Sequence, residues 1–446
     1  MLGRSWYLQP RSSTLWAAAG LPVAHVRQWG RFVVTPSSST AEKTVLPRIF
    51  YVWLGGALVS QLGDAALYFA LGWAASAHGG LAAGWVLSAV ALPRTILLLF
   101  GGAVGDRLGA RQVMIVGDAV MLVVAVTLAV VSGAAGAPLA ILVIAALIVG
   151  TNDAFYLPSS GSMPRRLVEP ELLPRAVALR QSGTQVISLV GAPVGGALVA
   201  FAGLSAAAWA DAITFAVVLV VLVMVRPPFT PPSPAQRKHI LREVWEGIQV
   251  AGRTSGLGPV LLLVAGAAGF VLPFVSLLIP LLAREHGWGS TGAGFVVGAQ
   301  SMGTIVATLI ISRRGILARP GVVAALALAV VAVGELAVGL APALPMAITG
   351  AIGVGAASGM FVSHLSPLLL SAAPDTHLAR VQAILSVMQS VTLLATNNII
   401  GSVAHALGPQ AGTLVCTAAL LICAAAGLFS RPIRRISRPA GRVVRS

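Results

Sequence analysis

The sequence predicts an all-α integral membrane protein, with twelve transmembrane helices in two six-helix, pseudo-symmetric bundles. Three observations carry that expectation. Of 446 residues, 57% are hydrophobic and only 9% are charged, where a soluble domain carries roughly a quarter charged residues. Apolar runs of about 20 residues, the length of helix that crosses a bilayer, recur from Ile49 to Ser430. The formal net charge is +16, but the basic residues sit in short connections and tails between apolar runs. That is the positive-inside distribution, not the surface of a nucleic-acid binder.

Residues 1–48 form a basic tail holding Arg4, Arg11, Arg27, Arg31 and Lys43, with Glu42 as its only acid. A disordered cytosolic extension is the expected reading. An organellar transit peptide also fits the Arg- and Ser-rich composition, whereas Leu15–Val26 is short and weak for a signal-peptide core. The N-terminal bundle spans 49–226, with segments near 49–76, 82–105, 112–133, 138–160, 175–201 and 205–226. A polar linker, 227–256, opens on the breaker run Arg226-Pro-Pro-Phe-Thr-Pro-Pro-Ser-Pro234. Leu241, Val244, Trp245 and Ile248 then recur at helical spacing opposite Arg242, Glu243 and Glu246, predicting an amphipathic helix on the membrane surface. The C-terminal bundle spans 257–430, with segments near 257–283, 288–311, 320–341, 343–371, 379–404 and 409–430, and residues 431–446 form a second basic tail.

Loop charges set the expected orientation. Arg107, Arg111, Arg165, Arg166, Arg237, Lys238, Arg313, Arg314, Arg319 and Arg380 lie in the connections after the even-numbered segments. Of the alternate connections only the one after segment 7 is charged, with Arg284 and Glu285. Both termini are therefore expected in the cytosol. Leu173-Pro-Arg-Ala-Val-Ala-Leu aligns with Leu378-Ala-Arg-Val-Gln-Ala-Ile at an offset of 205 residues, which supports two similar halves. Such halves imply a site between them near the midplane and a rocking mechanism.

The chain is organised around Gly102–Asp118, reading GAVGDRLGARQVMIVGD, a charged glycine-rich stretch between two apolar runs. At Gly102, Asp106, Arg107, Gly109 and Arg111 it resembles the signature between helices 2 and 3 of the major facilitator superfamily of secondary transporters. It departs at Ala110, where the family usually has a basic residue. Ser60-Gln-Leu-Gly63-Asp64, Gly117-Asp118 and Arg175-Ala-Val-Ala-Leu-Arg180-Gln-Ser182 are similar to the bacterial exporter branch that includes macrolide-efflux and siderophore-secretion proteins. Gly191, Pro193, Gly195 and Gly196 resemble an antiporter element of helix 5, with the proline displaced by one position. Glycines there also serve plain close helix packing. The resemblance implies proton-coupled efflux from the bacterial cytoplasmic membrane by alternating access, by a monomer acting on a small hydrophobic or amphipathic compound. An importer, a lipid-type transporter or a transport-inactive sensor are the alternatives.

No enzyme constellation, metal spacing or P-loop is present, so neither cofactor nor metal is expected, and Cys416 and Cys423 imply no disulfide framework. The chemistry to watch lies in polar residues inside spans, which are costly in hydrocarbon. Asp64, Asp153 and His364 are the candidates for proton coupling, with His364 also readable as a satisfied buried histidine. Arg94, Asp118 and Arg180 are candidate in-span partners: Arg94 for Asp64, and Arg180 in an ion-pair cluster with Asp118 and Asp153. By family analogy helices 1, 4, 7 and 10 line the cavity, which makes Asn152, Phe270 and Phe274 candidate cavity walls and sets Asp211 and Glu335 further from substrate.

Overall fold

The computed structural model describes residues 45–229, 257–372 and 378–435. Residues 1–44 of the N-terminal tail, the linker's amphipathic helix and residues 436–446 lie outside them, as do the side chains of Asp106 and Arg380.

Among the described residues, 11 stretches are long and apolar enough to cross a membrane. One of them, Pro170–Met224, has 55 residues, about 80 Å at helical rise and more than twice a bilayer's hydrocarbon core. It breaks at Ala202 and Gly203, where Gly203 takes φ 69°, a left-handed conformation that glycine adopts without steric penalty. The break divides it into two spans, which gives twelve. In chain order these are α1 (Arg48–Ser76), α2 (Gly80–Leu108), α3 (Ala110–Ala135), α4 (Leu139–Ser162), α5 (173–201) and α6 (204–224). The second half continues with α7 (257–285), α8 (Gly289–Arg314), α9 (Pro320–Gly339), α10 (Leu344–Ala372), α11 (Leu378–Leu407) and α12 (Pro409–Phe429).

The charged stretch proves tighter than a loop. α2 runs on through Leu108, and Gly109 alone, at φ 89°, separates it from α3. Inside α7 the residues Phe274–Leu278 form a π-helical stretch. Pro280 has no N–H to offer the carbonyl of Ser276 four residues earlier, and the oxygen of that carbonyl lies beside Gly72 of α1.

Packing is shared at one end and separate at the other. α1 packs on the α5–α6 run, α2 on α4, α8 on α10, and α9 on both α10 and α12. The halves meet through α2 against α11 and α5 against α8. At the end opposite the arginine-rich connections, one apolar core draws on both halves, including Leu71, Val86 and Leu128 with Leu277, Val296 and Ile400. At the arginine-rich end each half keeps its own core, around Phe50, Trp53 and Phe215 in the first and around Leu261, Val331 and Leu420 in the second.

Close backbone approach makes the shared end possible. A Cβ on Gly84 would stand 2.6 Å from the carbonyl oxygen of Asn397, and one on Gly294 2.6 Å from that of Ala192. Polar contacts reinforce the seams. Asn398 Nδ2 donates to Ser88 Oγ at 2.8 Å, and Ser290 Oγ donates to the Gly196 carbonyl at 2.9 Å. Arg284 donates to Ser76 Oγ and the Trp73 carbonyl, each at 2.7 Å, with its guanidinium 4.2 Å from the centre of the Trp73 ring.

Candidate functional site

Below the shared core, a cavity of about 370 Å³ lies between the halves, lined from α1, α2, α7 and α11. Its polar lining includes Tyr68, Arg94, Gln389, Ser390 and Asn397. Arg94 is exposed in it. A second, apolar cleft of about 240 Å³ opens beside it between α7, α9 and α10, walled by Val271, Val331 and Phe361. Leu272 and Gln389 line both spaces, and the hydroxyl oxygen of Ser358 in the apolar cleft is buried with no hydrogen-bond partner.

Behind Tyr68, which lines this cavity and donates to Asp153, the first half gathers four carboxylates. Asp64 on α1 lies within electrostatic reach of Asp211 on α6, Asp153 on α4 and Asp118 on α3. Each neighbour has a hydroxyl beside it: Tyr68 donates to Asp153 Oδ2 at 2.6 Å, Tyr156 to Asp118 Oδ2 at 3.5 Å, and Thr214 shares its hydrogen between the Asp211 carbonyl at 2.8 Å and Asp211 Oδ1 at 3.1 Å. The second oxygens, Asp118 Oδ1 and Asp211 Oδ2, are buried without a partner. Like charges gathered in a low dielectric repel one another, and a proton on any of them relieves that repulsion.

The arrangement differs from the sequence expectation in its partners. Arg94 acts electrostatically on Asp153 and Tyr68, and is not among the charges acting on Asp64. Arg180 is not among the charges acting on Asp118 or Asp153; Tyr156 and Tyr68 take that place. Asp211 joins the group although α6 stands outside the cavity, because α6 packs on α1 where Gly63 leaves room for Asp211 and Thr214. Tyr68 and Tyr156 were not singled out in the sequence. Their signal is spacing, four residues after Asp64 and three after Asp153, on the same helix faces.

The remaining candidates fall elsewhere. His364 is fully buried near the α8–α9 connection, with Nδ1 2.8 Å from the Met360 carbonyl and Nε2 accepting from the Leu317 N–H at 3.3 Å. Phe274 is 1% exposed, inside the shared core rather than on a cavity wall, and Phe270 is packed against that core. Asn152 lies against Gly117 of α3. Gly191 and Gly195 seat α5 on Ala65 and Ala66 of α1, while Gly196, and Pro193 against Gly298, seat it on α8. In the α2–α3 stretch, Arg111 donates to the carbonyls of Leu222, Val223 and Val225 at 2.8–2.9 Å, which closes the end of α6. Glu335 on α9 is wholly buried, with neither carboxylate oxygen hydrogen-bonded. Among the described residues, no group of His, Cys, Asp or Glu has metal-binding geometry.

The family description for the major facilitator superfamily matches residues 53–310, more than half of the chain. The chain belongs to the major facilitator superfamily. Solved structures agree on the fold. The nucleoside transporter NupG superposes with a TM-score of 0.66 at 12% identity, covering 86% of this chain and 98% of that one. A bacterial homolog of the human lysosomal transporter Spinster, captured inward-facing and unoccupied, gives 0.68 at 16%, covering 88% and 99%. The human organic anion transporter MFSD10 (TETRAN) gives 0.58 at 18%, covering 85% and 99%. A search of curated protein sequences finds no significant match. Membership and fold together make this a membrane transporter rather than an enzyme.

Proposed function

We propose that the protein is a secondary active exporter of a small hydrophobic or amphipathic compound, of drug or siderophore type, driven by proton antiport across the bacterial cytoplasmic membrane. The observation that carries this reading is the four-carboxylate group of Asp64, Asp118, Asp153 and Asp211 beside the Tyr68–Arg94 face of the cavity. A proton taken up there neutralises charge next to the substrate space, which is the coupling an antiporter requires. The basic connections lie at the end where the halves part, so with both termini in the cytosol the cavity faces inward. Alternating access then consists of closing that end and parting α2 from α11 and α5 from α8 at the other.

Among the described residues that line the cavity, Arg94 is the cation, and the apolar cleft adjoins it. The pair favours amphipathic compounds bearing an acidic group over cationic drugs. An organic anion transporter among the similar structures supports the same choice. Import, or transport of a lipid-type compound, on this scaffold is the second reading, since the cavity by itself sets no direction.

The test is transport in proteoliposomes loaded with a panel of amphipathic acids, neutral macrolides, siderophores and cationic dyes, with and without an imposed pH gradient. Accumulation of one class against its gradient, only when the gradient is imposed with the sign for antiport, is the expected result. Accumulation with the opposite sign selects import. No movement of any class under either sign overturns the exporter reading.

A further inference from the structure

At the arginine-rich end of the second half, a cleft of about 290 Å³ is lined by Arg319, Val322, Arg431 and Arg434. Local sequence explains why three arginines meet there. Arg319 stands immediately before α9. The short helix Arg431–Arg435 follows α12 and puts Arg431 and Arg434, three residues apart, on one face. Gly321 has no side chain, and the backbone carbonyl of Ile433 lies directly over it, so the short helix docks against the first turn of α9.

All three arginines are exposed, and among the described residues none of their side chains makes a hydrogen bond or ion pair. Three permanent cations converging on one cleft repel each other, and an anion seated between them removes that repulsion. The chain's own continuation over 436–446 brings Arg438, Arg442 and Arg445 and no acidic side chain. The cleft also sits at the level of a membrane surface, where α9 begins and α12 has just ended. From Val322 an apolar stripe runs along α9 at helical spacing through Leu326, 51% exposed, and Val330, 55% exposed.

We propose that this cleft binds the phosphate-bearing headgroup of an anionic phospholipid, with an acyl chain laid along the Val322–Leu326–Val330 face of α9. The site lies outside the transport cavity and does not depend on which compound is carried. A guanidinium cluster pairs with phosphate oxygens in bidentate fashion. The apolar stripe selects a lipid over a soluble phosphate. Because the short helix is tied to α9 through Gly321, a bound headgroup clamps the end of α12 to the start of α9.

The experiment uses the full chain, purified in a neutral detergent, delipidated, and titrated with phosphatidylglycerol, phosphatidylcholine or inorganic phosphate. Thermal unfolding and native mass spectrometry are the readouts. Phosphatidylglycerol is expected to raise the melting temperature and to be retained in the gas phase, and phosphatidylcholine to do neither. The triple variant Arg319→Gln/Arg431→Gln/Arg434→Gln should bind phosphatidylglycerol about tenfold or more weakly. The double variant Arg313→Gln/Arg314→Gln, which removes two exposed arginines at the end of α8 outside this cleft, should bind it as the wild type does. Equal loss in both variants reduces the effect to general surface charge and overturns the site. Undiminished retention by the triple variant overturns it directly. Equal stabilisation by inorganic phosphate and phosphatidylglycerol reassigns the cleft to soluble anions. Should the triple variant fail to fold, Arg431→Gln alone carries the same comparison.

Discussion

Tyr68 on α1 donates its phenolic hydrogen bond to Asp153 on α4 over 2.6 Å, and both act electrostatically with Arg94 of α2. This contact ties a carboxylate of the first half to a residue that lines the cavity. Hydrogen bonds to a charged group are worth about 1.5–3 kcal/mol. Tyr68→Phe should therefore reach the membrane at normal level yet lower pH-driven transport about tenfold, read by proteoliposome flux beside a thermal unfolding curve. Full transport by this variant would show the contact to be incidental.

Asp64 sits at the centre of the carboxylate group, with no cation among the groups acting on it. Asp64→Asn should relieve repulsion rather than strand a charge, so the variant should fold as well as the wild type or better. It should exchange substrate down a gradient and fail to accumulate it when a pH gradient is imposed. Accumulation at the wild-type level places coupling at another carboxylate, with Asp153 the next to test.

Arg111 satisfies three carbonyls at the end of α6 that no helical N–H can reach. Arg111→Gln should lower stability by about 2 kcal/mol, after allowance for partial exposure. The melting temperature should fall by a few degrees while substrate affinity holds. A change in transport with no change in melting temperature would assign Arg111 to switching and not to capping.

His364 has partners on both ring nitrogens, far from the carboxylate group. His364→Leu should destabilise the α8–α9 connection, costing about 1–3 kcal/mol for the backbone N–H it leaves unpaired, without moving the pH profile of transport. A shifted profile would return His364 to the coupling machinery.

The seams offer a conformational test. Gly84→Leu drives a side chain into the carbonyl of Asn397, and Gly294→Leu into that of Ala192. Either should force the shared end apart. In a background freed of Cys416 and Cys423, a cysteine placed by Ser88→Cys, now 8% exposed, should gain reactivity towards a membrane-impermeant maleimide. Unchanged labelling would mean that the seams do not gate access.

The fold was legible because a bilayer dictates it: run length and loop charge follow from the cost of polar groups in hydrocarbon, and twelve spans result. The site was legible only as far as cost per residue reaches. Asp64 and Asp153 stood out as charges inside apolar runs, but which groups meet is tertiary information. Asp211 joins them because Gly63 lets α6 close on α1, and no property of α6 alone announces that. Arg94 was assigned to Asp64 by depth along the helix, a measure that says nothing of the direction a side chain points. The family analogy that makes Phe274 a candidate cavity wall names the helix and not the face, and a π-helical stretch begins at this residue.

The single apolar core shared by the halves has a thermal consequence. In the alternating access proposed above, moving between states requires that core to split, while exposed apolar residues on the far halves of α2, α5 and α8, such as Ile96, Leu179 and Leu309, are still unburied. The passage between states thus exposes apolar surface that both resting states cover in turn, and such exposure carries a large positive heat capacity. The activation enthalpy for turnover should accordingly rise with temperature, bending an Arrhenius plot of transport upwards within a single lipid phase.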